Sequence, residues 1–132
     1  MEKCLTKMVT LAKQAASNAY VPLCKFSVGA CIRTIEGQLF NGCNWENVAT
    51  PLSQCAETSA LGTMLTAGYR QISDIVLVTP QFVCTPCGAC RQRLIQFSSP
   101  ETNFYSYNKD GVLLKSIKLN QLLPEAFTWE IP

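Results

Sequence analysis

The chain has no histidine among its 132 residues. That absence removes the Ser-His-Asp and Cys-His nucleophile systems, and any metal site built on imidazole. Charge is also scarce, with charged residues at 15% and a formal net charge of +2. So low a share suggests that part of the surface is buried in an oligomer. Lysines and arginines are scattered, with no basic run or stripe to follow a phosphate backbone, and nucleic acid is not expected as a partner. There is no stretch of about 18 apolar residues to cross a membrane. Met1-Glu2-Lys3-Cys4-Leu5-Thr6-Lys7 lacks the long apolar segment of a secretory signal, so a cytoplasmic location is expected. Repeats, linkers and low-complexity segments are missing too, which leaves one domain over 1–132.

Hydrophobic residues reach 48%, enough for a packed core, and there are eight cysteines. Without an export signal these are expected to be reduced thiols or metal ligands. Cys4, Cys24, Cys31 and Cys43 stand in apolar or strand-like contexts and read as small buried hydrophobes. The others gather in Cys55-Ala56-Glu57 and in Cys84 to Cys90. Both stretches read as helix openings. Residues 54–66 are rich in helix formers, and Pro86 suits a first helical position, where its missing N–H costs nothing. Exposed N–H groups at a helix start favour thiolate. Three thiolates from Cys55, Cys87 and Cys90 suit zinc and leave a fourth position for water. Glu57 sits beside such a metal without having to bind it, and a carboxylate there can move protons. Two other readings remain at this point. Cys84 can complete a structural four-cysteine zinc site, and Cys84-x-x-Cys87-x-x-Cys90 matches the start of an iron–sulfur run, although Leu94 and Ile95 stand where its fourth cysteine and the following proline belong.

Apolar spacing of three and four predicts an amphipathic helix over 3–18, ended by Tyr20-Val21-Pro22. Alternation predicts strands over 26–34 and 38–43, joined by a hairpin turn at 35–38. A helix follows over 56–67, closed by Gly68. Ile75-Val76-Leu77-Val78 reads as a central buried strand over 74–79. A helix over 88–97, strands over 103–107 and 112–116, and a helical turn over 119–123 complete the chain. The order suggests a three-layer α/β domain with parallel pairing among the later strands. Asn44 and Glu46, two apart, share one side of an extended segment. They read either as a polar turn or as a clamp for sugar hydroxyls. Phe26 reads either as core or as a ring packed on a ligand.

Cys-Ala-Glu followed by Pro-Cys-Gly-x-Cys-Arg-Gln resembles the zinc signature of the nucleoside cytidine deaminases, in their three-cysteine branch. Ala19-Tyr20-Val21-Pro22 with Phe26-Ser27-Val28-Gly29-Ala30, Gly42-Cys43-Asn44-Trp45-Glu46-Asn47, and Leu122-Leu123-Pro124-x-x-Phe127 resemble further motifs of that family, in the family's order. The resemblance implies an α/β/α sandwich with a five-stranded mixed sheet whose first strand is antiparallel. It implies one zinc per chain on Cys55, Cys87 and Cys90, and hydrolysis of cytidine and 2′-deoxycytidine to uridine and 2′-deoxyuridine plus ammonia, in pyrimidine salvage. Glu57 would take a proton from the water that zinc activates, then protonate N3 and the leaving ammonia. The Ala56 N–H would meet the base carbonyl, Phe26 would pack on the pyrimidine, and Asn44 and Glu46 would bind the sugar. Phe127 would close a neighbouring subunit's pocket in a homotetramer.

The chain departs from that pattern at four places. Leu23-Cys24 replaces Tyr-Ser, Trp45 replaces a smaller aliphatic residue, and Thr50 stands where a tyrosine is common. Thr58 replaces an arginine that approaches the thiolates, so the cluster is expected to lean on helix dipoles or on another cation such as Arg91. Two rival readings remain. One is a deaminase of a cytosine-nucleoside antibiotic such as blasticidin S, which the complete Asn-x-Glu-Asn segment disfavours. The other is a non-catalytic structural-zinc module, which has no use for Glu57.

Overall fold

Ile75, Val76, Leu77 and Val78 lie on the middle strand of the sheet and are buried on both faces. The computed structural model describes residues 2–129. Its elements are α1 (Glu2–Ser17), β1 (Gly29–Thr34), β2 (Leu39–Cys43), α2 (Ala56–Thr66), β3 (Ile72–Thr79), α3 (Gly88–Ile95), β4 (Asn103–Asn108) and β5 (Leu113–Lys118). Short 3-10 turns occupy Thr50–Leu52 and Leu119–Leu122. The five strands are ordered β2-β1-β3-β4-β5. β1 is antiparallel to both of its neighbours, β3 and β4 are parallel, and β5 returns antiparallel to β4. The parallel pair is the one joined by a helical crossover, as expected, and the short turn between β4 and β5 makes that pair antiparallel.

Alternation along β3 divides the core in two. Ile75 and Leu77 join Ala30, Ile32, Ala60, Met64, Leu94 and Phe104 on the face covered by α2 and α3. Val76 and Val78 join Met8, Ala12 and Cys31 on the face covered by α1. The result is three layers, helix on sheet on helices. Two glycines let the layers touch. A Cβ at Gly29 would overlap the Ala12 carbonyl of α1, and one at Gly42 would overlap the Ala60 backbone of α2. Gly42 thus brings the first half of α2 down onto β2. Among the described residues no helix is long and apolar enough to cross a membrane.

Some element bounds and burials differ from expectation. β1 begins at Gly29, not at residue 26, because the Asn44 side chain takes over the pairing there. Its Oδ1 accepts from Val28 N at 2.9 Å and its Nδ2 donates to Phe26 O at 2.8 Å. β3 begins at Ile72, two residues before the expected start at residue 74, where Ser73 and Asp74 meet Arg33 across the sheet. Cys31 is buried as expected, Cys4 and Cys43 are half-buried, and Cys24 is exposed on a loop.

Candidate metal centre

Cys55 is the N-cap of α2 and Cys87 the N-cap of α3, while Cys90 lies in the first turn of α3. Pro86 therefore precedes the cap and does not occupy the first helical position. Neither cap is closed by a side-chain hydrogen bond, so the first backbone N–H groups of both helices lack an intrahelical or capping acceptor. The three sulfurs lie within 4.8 Å of one another, the one such group among the described residues. A tetrahedral zinc with bonds of about 2.3 Å sets its ligand sulfurs about 3.8 Å apart. Cys55 and Cys87 are already 3.9 Å apart, so the donor set fits zinc in both chemistry and spacing. Cys84 is not in the group, and its thiol faces the Thr85 carbonyl at 3.7 Å.

The second residue of α2, Glu57, is only 4% exposed. Burial first, and then the neighbouring Cys90 sulfur, push its carboxyl up to about 7. Cys90 ionises more readily than an ordinary thiol, chiefly because Cys55 donates to it, and the Cys55 thiol is held up by the same bond. Thr58 Oγ1 lies 3.2 Å from the Cys90 sulfur, and Arg93 Nη1 donates to that same oxygen at 3.1 Å. Arg91, the cation expected near the cluster, is committed elsewhere. Its guanidinium donates to Pro86 O, Leu122 O and Thr85 Oγ1 and so ties α3 to its flanking loops. Arg93 stands where Arg91 was expected, because a residue three positions beyond Cys90 shares its helical face and the next residue does not.

Asn44 and Glu46 both serve the loop that carries Phe26. Asn44 holds residues 26–28, and Glu46 accepts from Leu23 N at 2.8 Å and from Cys24 N at 3.1 Å. Trp45, between them, exchanges backbone hydrogen bonds with Gln54, next to Cys55, and bridges to Tyr20 on its other side. Its indole N–H also reaches Gln54 Oε1 at 3.0 Å. The Phe26 ring is half-buried and stacks on Phe82 with centroids 5.3 Å apart. Ala56 is buried as the first residue of α2, where its N–H has no intrahelical acceptor. Phe127 lies apart from this assembly. Its ring is exposed beside Trp129, and its carbonyl accepts from Gln92 on the flank of α3. Thr50 is exposed in the first 3-10 turn.

Sequence reasoning passed over Arg93, Phe82 and the bridging role of Trp45. Arg93 carried one usable signal, its three-residue spacing from Cys90; the contacts of Phe82 and Trp45 depend on how separate loops meet.

Residues 2–106 match the family model described as the cytidine and deoxycytidylate deaminase zinc-binding region. The cytidine deaminase of Sporosarcina psychrophila is 34% identical over 125 residues, covering 94% of this chain and 91% of the relative. That of Halalkalibacterium halodurans is 36% identical over 124 residues, covering 93% of each. A crystal structure of cytidine deaminase from Burkholderia pseudomallei superposes with a TM-score of 0.85 at 38% identity, over 92% of this chain and 98% of that one.

Proposed function

The chain belongs to the cytidine deaminase family, and from that membership we propose a specific division of labour for its hydrolysis of cytidine to uridine and ammonia. It is a zinc-dependent deaminase with one zinc per chain, held by Cys55, Cys87 and Cys90. Zinc, when bound there, supplies a Lewis acid that makes a water acidic near neutral pH. Glu57 is the proton carrier. Its burial beside the three sulfurs is the observation that carries the reading, because a carboxyl pushed up to about 7 both takes and gives a proton near neutral pH. The carboxylate accepts a proton from the attacking water and delivers it to N3 of the pyrimidine. The water oxygen bonds to C4, its second proton passes through Glu57 to the amino group, and the C4–N bond breaks to release ammonia.

The Ala56 N–H donates to the base carbonyl and Phe26 packs on the ring. Asn44 and Glu46 set the sugar end of the pocket, either through the Phe26 loop that they hold or through direct contact. Phe127, exposed on its own chain, closes the pocket of a neighbouring subunit in a homotetramer. Residues 1–132 act as one catalytic domain, 2′-deoxycytidine is a substrate beside cytidine, and the enzyme serves pyrimidine salvage in the cytoplasm.

A cytidine absorbance assay, run with and without a strong chelator beside a zinc count per chain, tests the reading. The expected outcome is one zinc per chain, with activity lost on chelation and restored by zinc. Zinc bound without turnover of cytidine, 2′-deoxycytidine or blasticidin S would leave a structural-zinc module. Turnover of blasticidin S alone would place the substrate among the antibiotics.

A further inference from the structure

Three thiolates around a dication leave the cluster with an excess negative charge, and an ionised Glu57 adds another. Something must offset that charge at the sulfurs. Cys90 is fully buried, so water does not solvate its sulfur. What reaches it from a neighbouring helix is the hydroxyl of Thr58, 3.2 Å away. A ligand thiolate has no proton to give, so Thr58 is the donor. A threonine hydroxyl has one proton and two lone pairs. The proton is spent on the sulfur, and a lone pair takes the Arg93 N–H at 3.1 Å. The chain of donors thus runs in one direction, from guanidinium to hydroxyl to sulfur. A cation at its head polarises the O–H and strengthens the bond to the sulfur.

We propose that Arg93 is a positioning residue for the metal centre, acting through the Thr58 hydroxyl to relieve the charge on Cys90 and so to set the affinity of the three-cysteine site. The inference rests on the zinc reading above. It also explains how residues on α2 and α3 share one task. Thr58 sits at the third position of α2 and Cys90 at the third position of α3, so the two helix starts meet through this bond. Arg93 lies one turn further along α3 and reaches back across the gap.

Zinc affinity is read by competition with a chromophoric chelator, and the bond to sulfur by the sulfur-to-metal charge-transfer band of the cobalt(II) protein. Outer-shell partners of metal ligands contribute about 10- to 100-fold in affinity. Thr58→Val, which keeps the shape and removes the hydroxyl, is expected to weaken zinc by about 10-fold and move the cobalt band to longer wavelength. Arg93→Gln should do the same to a smaller extent, while Thr58→Ser and Arg93→Lys stay near the parent. In the Thr58→Val background, Arg93→Gln should add nothing, because the relay is already cut. Melting of each metal-free variant separates the relay from a mere clamp between helices. A lowered melting temperature with an unmoved cobalt band, or an Arg93→Gln effect of equal size in both backgrounds, overturns the proposal. A parent protein that holds no zinc instead overturns the deaminase reading on which it rests.

Discussion

Glu57 combines near-complete burial with a place beside the Cys90 and Cys55 sulfurs. Glu57→Gln keeps the shape and removes the acid–base function. It should retain zinc and lose at least ~10²-fold in kcat, measured by the same absorbance assay with zinc content matched. Near-parental turnover would assign the proton transfer to another group. Glu46 makes a different prediction. Partial burial pushes its carboxyl up, but the amides of Leu23 and Cys24, the Cys24 thiol and the charge of Lys25 outweigh that and leave it below its ordinary 4.5. A carboxyl depressed in the folded state stabilises fully above its unfolded pKa and loses that contribution as pH falls through the folded value. The Leu23 and Cys24 amides should therefore be protected from hydrogen exchange at neutral pH and lose protection below 4.5, while β3 amides do not. Equal protection on both sides of that value would show that Glu46 does not hold the loop. The cysteine cluster was readable in sequence because Cys87 and Cys90 are neighbours on one helix and Glu57 adjoins Cys55. Arg93 was not, since its partner Thr58 lies 35 positions away and the pair exists only where two helix starts converge.

α2 is placed by what lies beneath it. Gly42 has no room for a Cβ against the Ala60 backbone, and Gly29 has none against Ala12 on the opposite face. Either change to alanine forces a helix off the sheet, and overpacking of this kind typically costs about 1–3 kcal/mol. Their effects on zinc should differ. Gly42→Ala displaces the helix that carries Cys55 and should weaken zinc measurably in chelator competition. Gly29→Ala displaces α1 and should lower the melting temperature while leaving zinc affinity near the parent. Equal loss of zinc in both would mean that α2 is not registered through β2. The helices and the central strand were legible because each carries a periodic apolar pattern with a clear stop. The start of β1 was not, because the pairing of residues 26–28 comes from a side-chain amide 16 residues away from Val28, which no local pattern announces. The parallel pairing of β3 with β4 was legible from the crossover through α3 that joins them.

At the scale of the molecule, low charge and exposed apolar side chains point the same way. Tyr20, Leu23, Val48, Leu52, Phe82, Phe127 and Trp129 are large and exposed, on a chain with only 15% charged residues. Where such side chains lie together they commonly mark a contact between chains. Sedimentation in dilute solution should give a tetramer, and Phe127→Ala should reduce activity while leaving the zinc count of each chain intact. A fully active monomer would show that each pocket is complete within one chain. The resemblance implied a five-stranded mixed sheet and a homotetramer, but the strand order β2-β1-β3-β4-β5 was not legible, since it depends on which strands meet across the sheet.

The paired backbone hydrogen bonds between Trp45 and Gln54 have a further consequence for how this scaffold tolerates change. They close the base of the excursion over residues 46–53 like a drawstring, and Val48 at its tip is 95% exposed. Lengthening a loop whose ends are already pinned is cheap, about 0.6 kcal/mol for each doubling. Sequence inserted at Val48 would leave the approach to Cys55 where it is. The tip is therefore a natural place for grafted segments, with the three-cysteine centre inherited unchanged.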